Sequence, residues 1–171
     1  MGVVETLTSR NADFAAKQFS SDLRLMPSLK TIVIGCVDPR VDPNAVLGVA
    51  PGEVATIRNV GGRVTPGLLR EMVMLRKVVQ AGGGDIGPGW EFVVLHHTDC
   101  GITRLEGQPE MLSEFFEMDQ NQLAEQAVSD PEAAVAHDVA ALRADTRLSG
   151  VRVSGLVYDV NTGLVDTVVK P

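Results

Sequence analysis

Short runs of β-branched and aliphatic residues alternate along this chain with longer segments of helical spacing, and that alternation restricts the fold more than any other feature. Thr31-Ile-Val-Ile-Gly-Cys-Val-Asp38 reads as a buried strand ending in the turn marked by Pro39 and Pro43. Val54-Ala-Thr-Ile-Arg-Asn59 reads as a second strand closed by Gly61-Gly62. Glu91-Phe-Val-Val-Leu-His-His97 and Val151-Arg-Val-Ser-Gly-Leu-Val-Tyr158 give a third and a fourth, and 159–163 turn the chain into an edge strand at 164–169. Between the second and third strands, Thr65 is placed to cap a helix that Pro66 begins and Gly82 to Gly84 stop. Leu68, Leu69, Met72, Val73, Leu75, Val78 and Val79 give that helix a wide apolar face, which predicts that it is largely buried. A further helix follows Asp130, carries Pro131 and Glu132 in its first turn, and runs to about residue 148. The expectation is an α/β fold: a mostly parallel sheet with helices on both faces and an antiparallel edge strand. Open sheets of this kind bind ligands beyond the carboxyl ends of their strands.

Residues 1–30 read as a helical arm, because Phe14, Ala15, Phe19 and Leu23 fall at helical spacing and predict an amphipathic helix over 12–19. Residues 31–171 then form one domain, a length of 171 being the usual size for a single core. With 44% hydrophobic and 22% charged residues, a disordered chain is excluded. Fifteen basic against 22 acidic residues give a net charge of −7 with no basic patch, so neither nucleic acid nor an anionic membrane is an expected partner. No apolar stretch is long enough to span a bilayer and the first residues lack a secretory pattern, so the expected location is cytoplasmic. Gly2 to Thr6 match the loose myristoylation pattern, but Glu5 lies inside it and no basic cluster follows.

Polar and titratable residues gather at the expected strand ends. Cys36, Asp38 and Arg40 are spaced by two, so all three share one side if the strand stays extended. His97-Thr-Asp-Cys100 has the short-chelate spacing common in zinc sites. The chain has two cysteines, which in a reducing compartment stay thiols unless a metal holds them as thiolates. Two thiolates and one imidazole leave a tetrahedral position open, as a catalytic zinc needs. His96, adjacent to His97 on a strand, must face the other way and reads as a hydrogen-bonded support. His137 reads as a partly exposed surface residue. Asp99 reads as a cap for the segment after Cys100, with orientation of a ligand as the other choice. The glycines at 61–62 and 82–84 lack a nucleotide-binding fingerprint and read as turn glycines.

Taken in order, Cys36-x-Asp38-x-Arg40, Arg58-Asn59, Gly61-Gly62 and His97-x-x-Cys100-Gly101 resemble the β-class carbonic anhydrases. The short length and the His96-His97 doublet resemble the small branch that includes carbonyl sulfide hydrolases. The resemblance implies a Zn2+ held by Cys36, His97 and Cys100, a catalytic pair of Asp38 and Arg40, and a homodimer or homotetramer with pockets near subunit interfaces. It also implies a resting form in which Asp38 swings onto the metal once its bond to Arg40 is broken. The expected reaction is attack of zinc-activated water on a small linear electrophile. Reversible hydration of carbon dioxide to bicarbonate and hydrolysis of carbonyl sulfide to carbon dioxide and hydrogen sulfide stand nearly balanced. Ala55, where many members carry histidine, suggests a less polar lining suited to the sulfur substrate. A reading from another class is a structural-zinc binding module, which would need Asp38 as a fourth ligand.

Overall fold

The structure is a computed structural model that describes residues 2–171. Its chain runs as α1 (Val3–Lys17), β1 (Thr31–Cys36), α2 (Pro43–Val46), β2 (Val54–Asn59), α3 (Pro66–Ala81), β3 (Glu91–His97), α4 (Pro109–Phe116), α5 (Pro131–Ala144), β4 (Arg152–Tyr158) and β5 (Val165–Val169). The five strands make one sheet in the order β2-β1-β3-β4-β5. Neighbours β1/β2, β1/β3 and β3/β4 are parallel, and β5 closes the edge antiparallel to β4. The expected α/β architecture is therefore present, with helices packed around a mostly parallel sheet.

Local signals explain the helix boundaries. The Thr65 hydroxyl accepts the Leu68 N–H at 3.2 Å and Pro66 supplies the first turn of α3. Asp130 accepts the N–H groups of Glu132 and Ala133, both at 3.0 Å, at the start of α5. The main core joins Ile32, Ile34, Phe92, Val94 and Val153 from the sheet to Leu68, Met72 and Val79 of α3 and Val135, Val139 and Leu142 of α5. Each such buried side chain contributes about 1.5–3 kcal/mol relative to exposure. Only one stripe of α3 is covered, against the expectation: Met74 and Val78 remain 59% and 54% exposed on the flank turned from the sheet.

Three boundaries also differ from the sequence reading. The first strand stops at Cys36, because Asp38 caps a 3-10 turn, Pro39–Val41, by accepting the Arg40 N–H at 2.9 Å. The amino-terminal helix begins at Val3, earlier than the apolar spacing indicated, and none of its residues is buried. The late helix ends at Ala144, and a 3-10 turn, Thr146–Leu148, completes the segment. Residues 101–130, where the sequence reading placed no element, hold a 3-10 turn (Gly101–Leu105), α4 and a second 3-10 turn (Gln120–Gln126). There Ile102, Leu112 and Phe116 pack with Val41 against Cys36 and Cys100 as a second, smaller cluster. Among the described residues, no helix is long and apolar enough to cross a membrane.

Candidate metal centre

Parallel pairing of β1 with β3 sets the site. Gly35 lies opposite Leu95, so Cys36 at the end of β1 and His97 at the end of β3 emerge from adjacent strands. Asp99 turns the chain with a left-handed φ of 52°, which returns Cys100 toward the same point. The ligand atoms of Cys36, His97 and Cys100 all lie within 4.8 Å of one another, with the two sulfurs 3.8 Å apart and unbonded. His97 Nδ1 is 2.8 Å from the Thr98 carbonyl, which can only accept, so Nδ1 carries the proton and Nε2 offers a lone pair. That Nε2 is buried with no hydrogen-bond partner. A buried, unpaired imidazole nitrogen beside two sulfurs fits a thiophilic metal of the zinc type, and the Thr98 carbonyl supplies the outer contact that fixes the ring.

Among the three, the electrostatics favour the metal-binding, deprotonated form at Cys36. The hydrogen bond from Cys100 outweighs burial and brings the Cys36 thiol down to about 4, with His97 and the Asp38 N–H helping. The same bond, with burial, pushes the Cys100 thiol up. Burial opposes a charged His97, yet its contact with Cys36 raises its pKa overall. The pair thus favours an anionic sulfur at Cys36, the form in which cysteine binds metal.

Asp38 stands beside this cluster but not in it. Arg40 Nε approaches both of its carboxylate oxygens, at 3.1 and 3.2 Å, and Nη2 donates to Oδ2 at 2.7 Å. These bonds hold the Asp38 carboxyl down to about 2. The other side of the guanidinium donates to Asp99, from Nη1 to Oδ2 at 2.8 Å and from Nη2 to the carbonyl at 2.9 Å. Asp99 therefore secures Arg40 and caps nothing, since the 3-10 turn after Cys100 has no side-chain cap. Cys36, Asp38 and Arg40 are brought together by this capped turn and not by strand alternation.

Several contributors were not legible as such. Arg58 donates to the Cys36 carbonyl at 2.8 Å, the Asp38 carbonyl at 2.7 Å and the Asp42 carboxylate at 2.7 Å, so it braces the Cys36–Asp38 backbone. Gly62 has φ 66°, and a Cβ there would fall 2.9 Å from the Cys36 nitrogen, so this turn packs directly on the end of β1. Asn59 fixes the turn by bonding the Arg63 N–H and carbonyl at 2.8 and 2.7 Å. Behind His97, Asp138 is fully buried and its Oδ2 accepts from Arg63 Nε at 2.9 Å, the Val64 N–H at 2.9 Å and His96 Nε2 at 3.1 Å. Burial would raise the Asp138 pKa, but the His96 bond and the Arg63 charge hold it at about 2. His96 is thus a hydrogen-bonded support, as its strand position required. The one sequence signal for the network is an aspartate between the core positions Val135, Val139 and Leu142 of α5. His137 is half-buried and accepts no more than the Gln126 amide at 3.1 Å. Ala55 pairs with Ile32 and packs on the main core, four residues before Asn59, which lies opposite Cys36. At about 3.3 Å per residue it is roughly 13 Å from that end of the sheet, so within this chain it does not line the metal site.

The family profile described as carbonic anhydrase matches residues 31–116, half of the chain. Beta-carbonic anhydrase 1 of Mycobacterium tuberculosis is 31% identical over 102 residues, covering 60% of this chain and 57% of that protein. The chain thus matches little more than half the length of that relative. The carbon disulfide hydrolase of Acidianus sp. is 32% identical over 76 residues, covering 44% of this chain and 33% of that protein. Among solved structures, the carbonic anhydrase of Streptococcus mutans superposes with a TM-score of 0.75 at 29% identity, over 98% of both chains. A carbon disulfide hydrolase in its apo form shares the fold, with a TM-score of 0.60 at 22% identity over 95% of this chain and 88% of the other.

Proposed function

Since the chain belongs to the β-carbonic anhydrase family, we propose that it is a zinc enzyme that adds water to carbon dioxide, with Cys36, His97 and Cys100 as metal ligands and Asp38 and Arg40 as the catalytic pair. Zinc in this site supplies Lewis acidity that lets water ionise near neutral pH. Asp38 accepts the proton-side hydrogen bond of the attacking water and turns its lone pair toward the substrate carbon. Arg40 keeps Asp38 ionised and oriented, and Asp99 fixes Arg40 in turn. Arg58 and the Gly61-Gly62 turn hold the backbone that carries Cys36 and Asp38.

The observation that carries this reading is the division of labour at the site. Three donors converge within 4.8 Å, while both oxygens of the adjacent carboxylate are turned to Arg40. A structural-zinc module would need Asp38 among the ligands, and the Arg40 bonds oppose that. Carbonyl sulfide, hydrolysed to carbon dioxide and hydrogen sulfide, is the second reading. It is favoured by the similarity to a carbon disulfide hydrolase, whereas the position of Ala55 gives it no support. Free thiolates suit a reducing compartment such as the cytosol. Residues 1–30 act as an arm on the 31–171 domain, and exposed Val3, Val4 and Leu7 on α1 support burial against another copy in a homodimer or homotetramer.

The deciding experiment measures metal content, carbon dioxide hydration and sulfide release from carbonyl sulfide in one chelator-free preparation. Stoichiometric zinc with fast hydration is expected. Absence of bound metal, or bound metal with neither activity, defeats the proposal, and sulfide release faster than hydration transfers it to the second reading.

A further inference from the structure

The Thr98 carbonyl holds the His97 ring, and what holds Thr98 comes from the end of β4 and the turn into β5. The Thr98 hydroxyl accepts the Val160 N–H at 3.0 Å and donates to Asp159 Oδ1 at 3.2 Å, so both of its roles are used there. The Thr98 N–H donates to the Tyr158 carbonyl at 3.0 Å, which carries the β3/β4 pairing one residue past His97.

Asp159 is itself fixed before it reaches Thr98. Its Oδ1 also accepts the Asn161 N–H at 2.8 Å, its Oδ2 accepts the Thr162 hydroxyl at 3.1 Å, and its carbonyl accepts the Gly163 N–H at 2.8 Å. A carboxylate held in a closed turn is a stronger and better aimed acceptor than a neutral group. The segment it steadies needs an outside anchor. Only Thr98 and Asp99 lie between His97 and Cys100, and Asp99 takes a left-handed φ of 52°. A link that short does not by itself set the direction of the Thr98 carbonyl. That direction decides whether His97 Nδ1 keeps its proton and Nε2 offers a lone pair.

We propose that Asp159, acting through Thr98, is a positioning residue that aligns His97 for metal, an inference that rests on the zinc reading above. Asp159 lies outside residues 31–116, the segment that matches the family profile. Zinc affinity, by competition with a chromophoric chelator, and the visible spectrum of the cobalt(II)-loaded protein test it without reference to turnover. Asp159→Ala and Thr98→Val are each expected to lower zinc affinity about tenfold or more and to change the cobalt spectrum. Asp159→Asn and Thr98→Ser keep the acceptor and the hydroxyl and should stay near wild type. The double variant Asp159→Ala, Thr98→Val should fall no further than the weaker single variant, because both remove one link. Wild-type affinity and spectrum in the two single variants, or losses that simply add, overturn the proposal. So does a lower melting temperature of the metal-free variants with affinity and spectrum unchanged, which confines Asp159 to its turn. Should Asp159→Ala fail to fold, Thr98→Val against Thr98→Ser decides, since neither touches the turn's own bonds. Wild-type protein that holds neither ion defeats the zinc reading and this link together, whereas metal-binding wild type with unaffected variants defeats the link alone.

Discussion

Asp38 and Arg40 meet through both carboxylate oxygens, so substitutions at the two positions separate chemistry from metal retention. Asp38→Asn keeps the side chain's shape but removes the charge proposed to accept the water's hydrogen bond. It is expected to retain zinc and lose about 100-fold or more in hydration rate, read by stopped flow beside metal analysis. Full activity in that variant contradicts the assigned role. Arg40→Ala leaves Asp38 without the bonds that hold its carboxyl down to about 2, freeing it to turn toward the metal. Bound zinc with no turnover is expected, and zinc loss would make Arg40 a structural residue instead. Asp138 has a different pH signature. Its pKa of about 2 lies below the ordinary 3.8, so its ionised form stabilises the fold above about pH 4. That contribution, about 2 kcal/mol, disappears as pH falls from 4 toward 2. Urea midpoints across this range, with metal content followed in parallel, should show the decline, and a flat profile counts against it.

At the scale of elements, the turn joining β2 to α3 and the amino-terminal helix behave oppositely. Gly62→Ala places a methyl group against the backbone of Gly35 and Cys36 at a left-handed φ of 66°. A loss of about 1–3 kcal/mol in unfolding free energy is expected, with weaker zinc retention, and wild-type metal affinity would show that β1 can yield. Helix α1 buries none of its residues within this chain. Deleting residues 1–20 should therefore leave the melting of the 31–171 domain nearly unchanged while weakening self-association in sedimentation. An oligomer unaffected by the deletion removes the arm from the interface. The half-exposed flank of α3 follows the same logic, since its periodicity describes an apolar surface wider than the single chain covers.

For the whole molecule, the sequence by itself determined the alternation of strands and helices, hence a parallel sheet, and the placement of Cys36 and His97 at the ends of strands. Those features depend on backbone spacing and capping within about ten residues, which a linear pattern records. The sharing of Cys100 followed from a two-residue gap. Tertiary structure alone decided which distant groups satisfy one another. Arg63 meets Asp138 across 75 positions and Arg40 meets Asp99 across 59. No periodicity links them, because a buried charge or a free guanidinium edge takes whatever partner packing brings within reach. The same reason removed Ala55 from the site: its place on β2 was readable, but its distance from Cys36, His97 and Cys100 depends on strand register and not on sequence order.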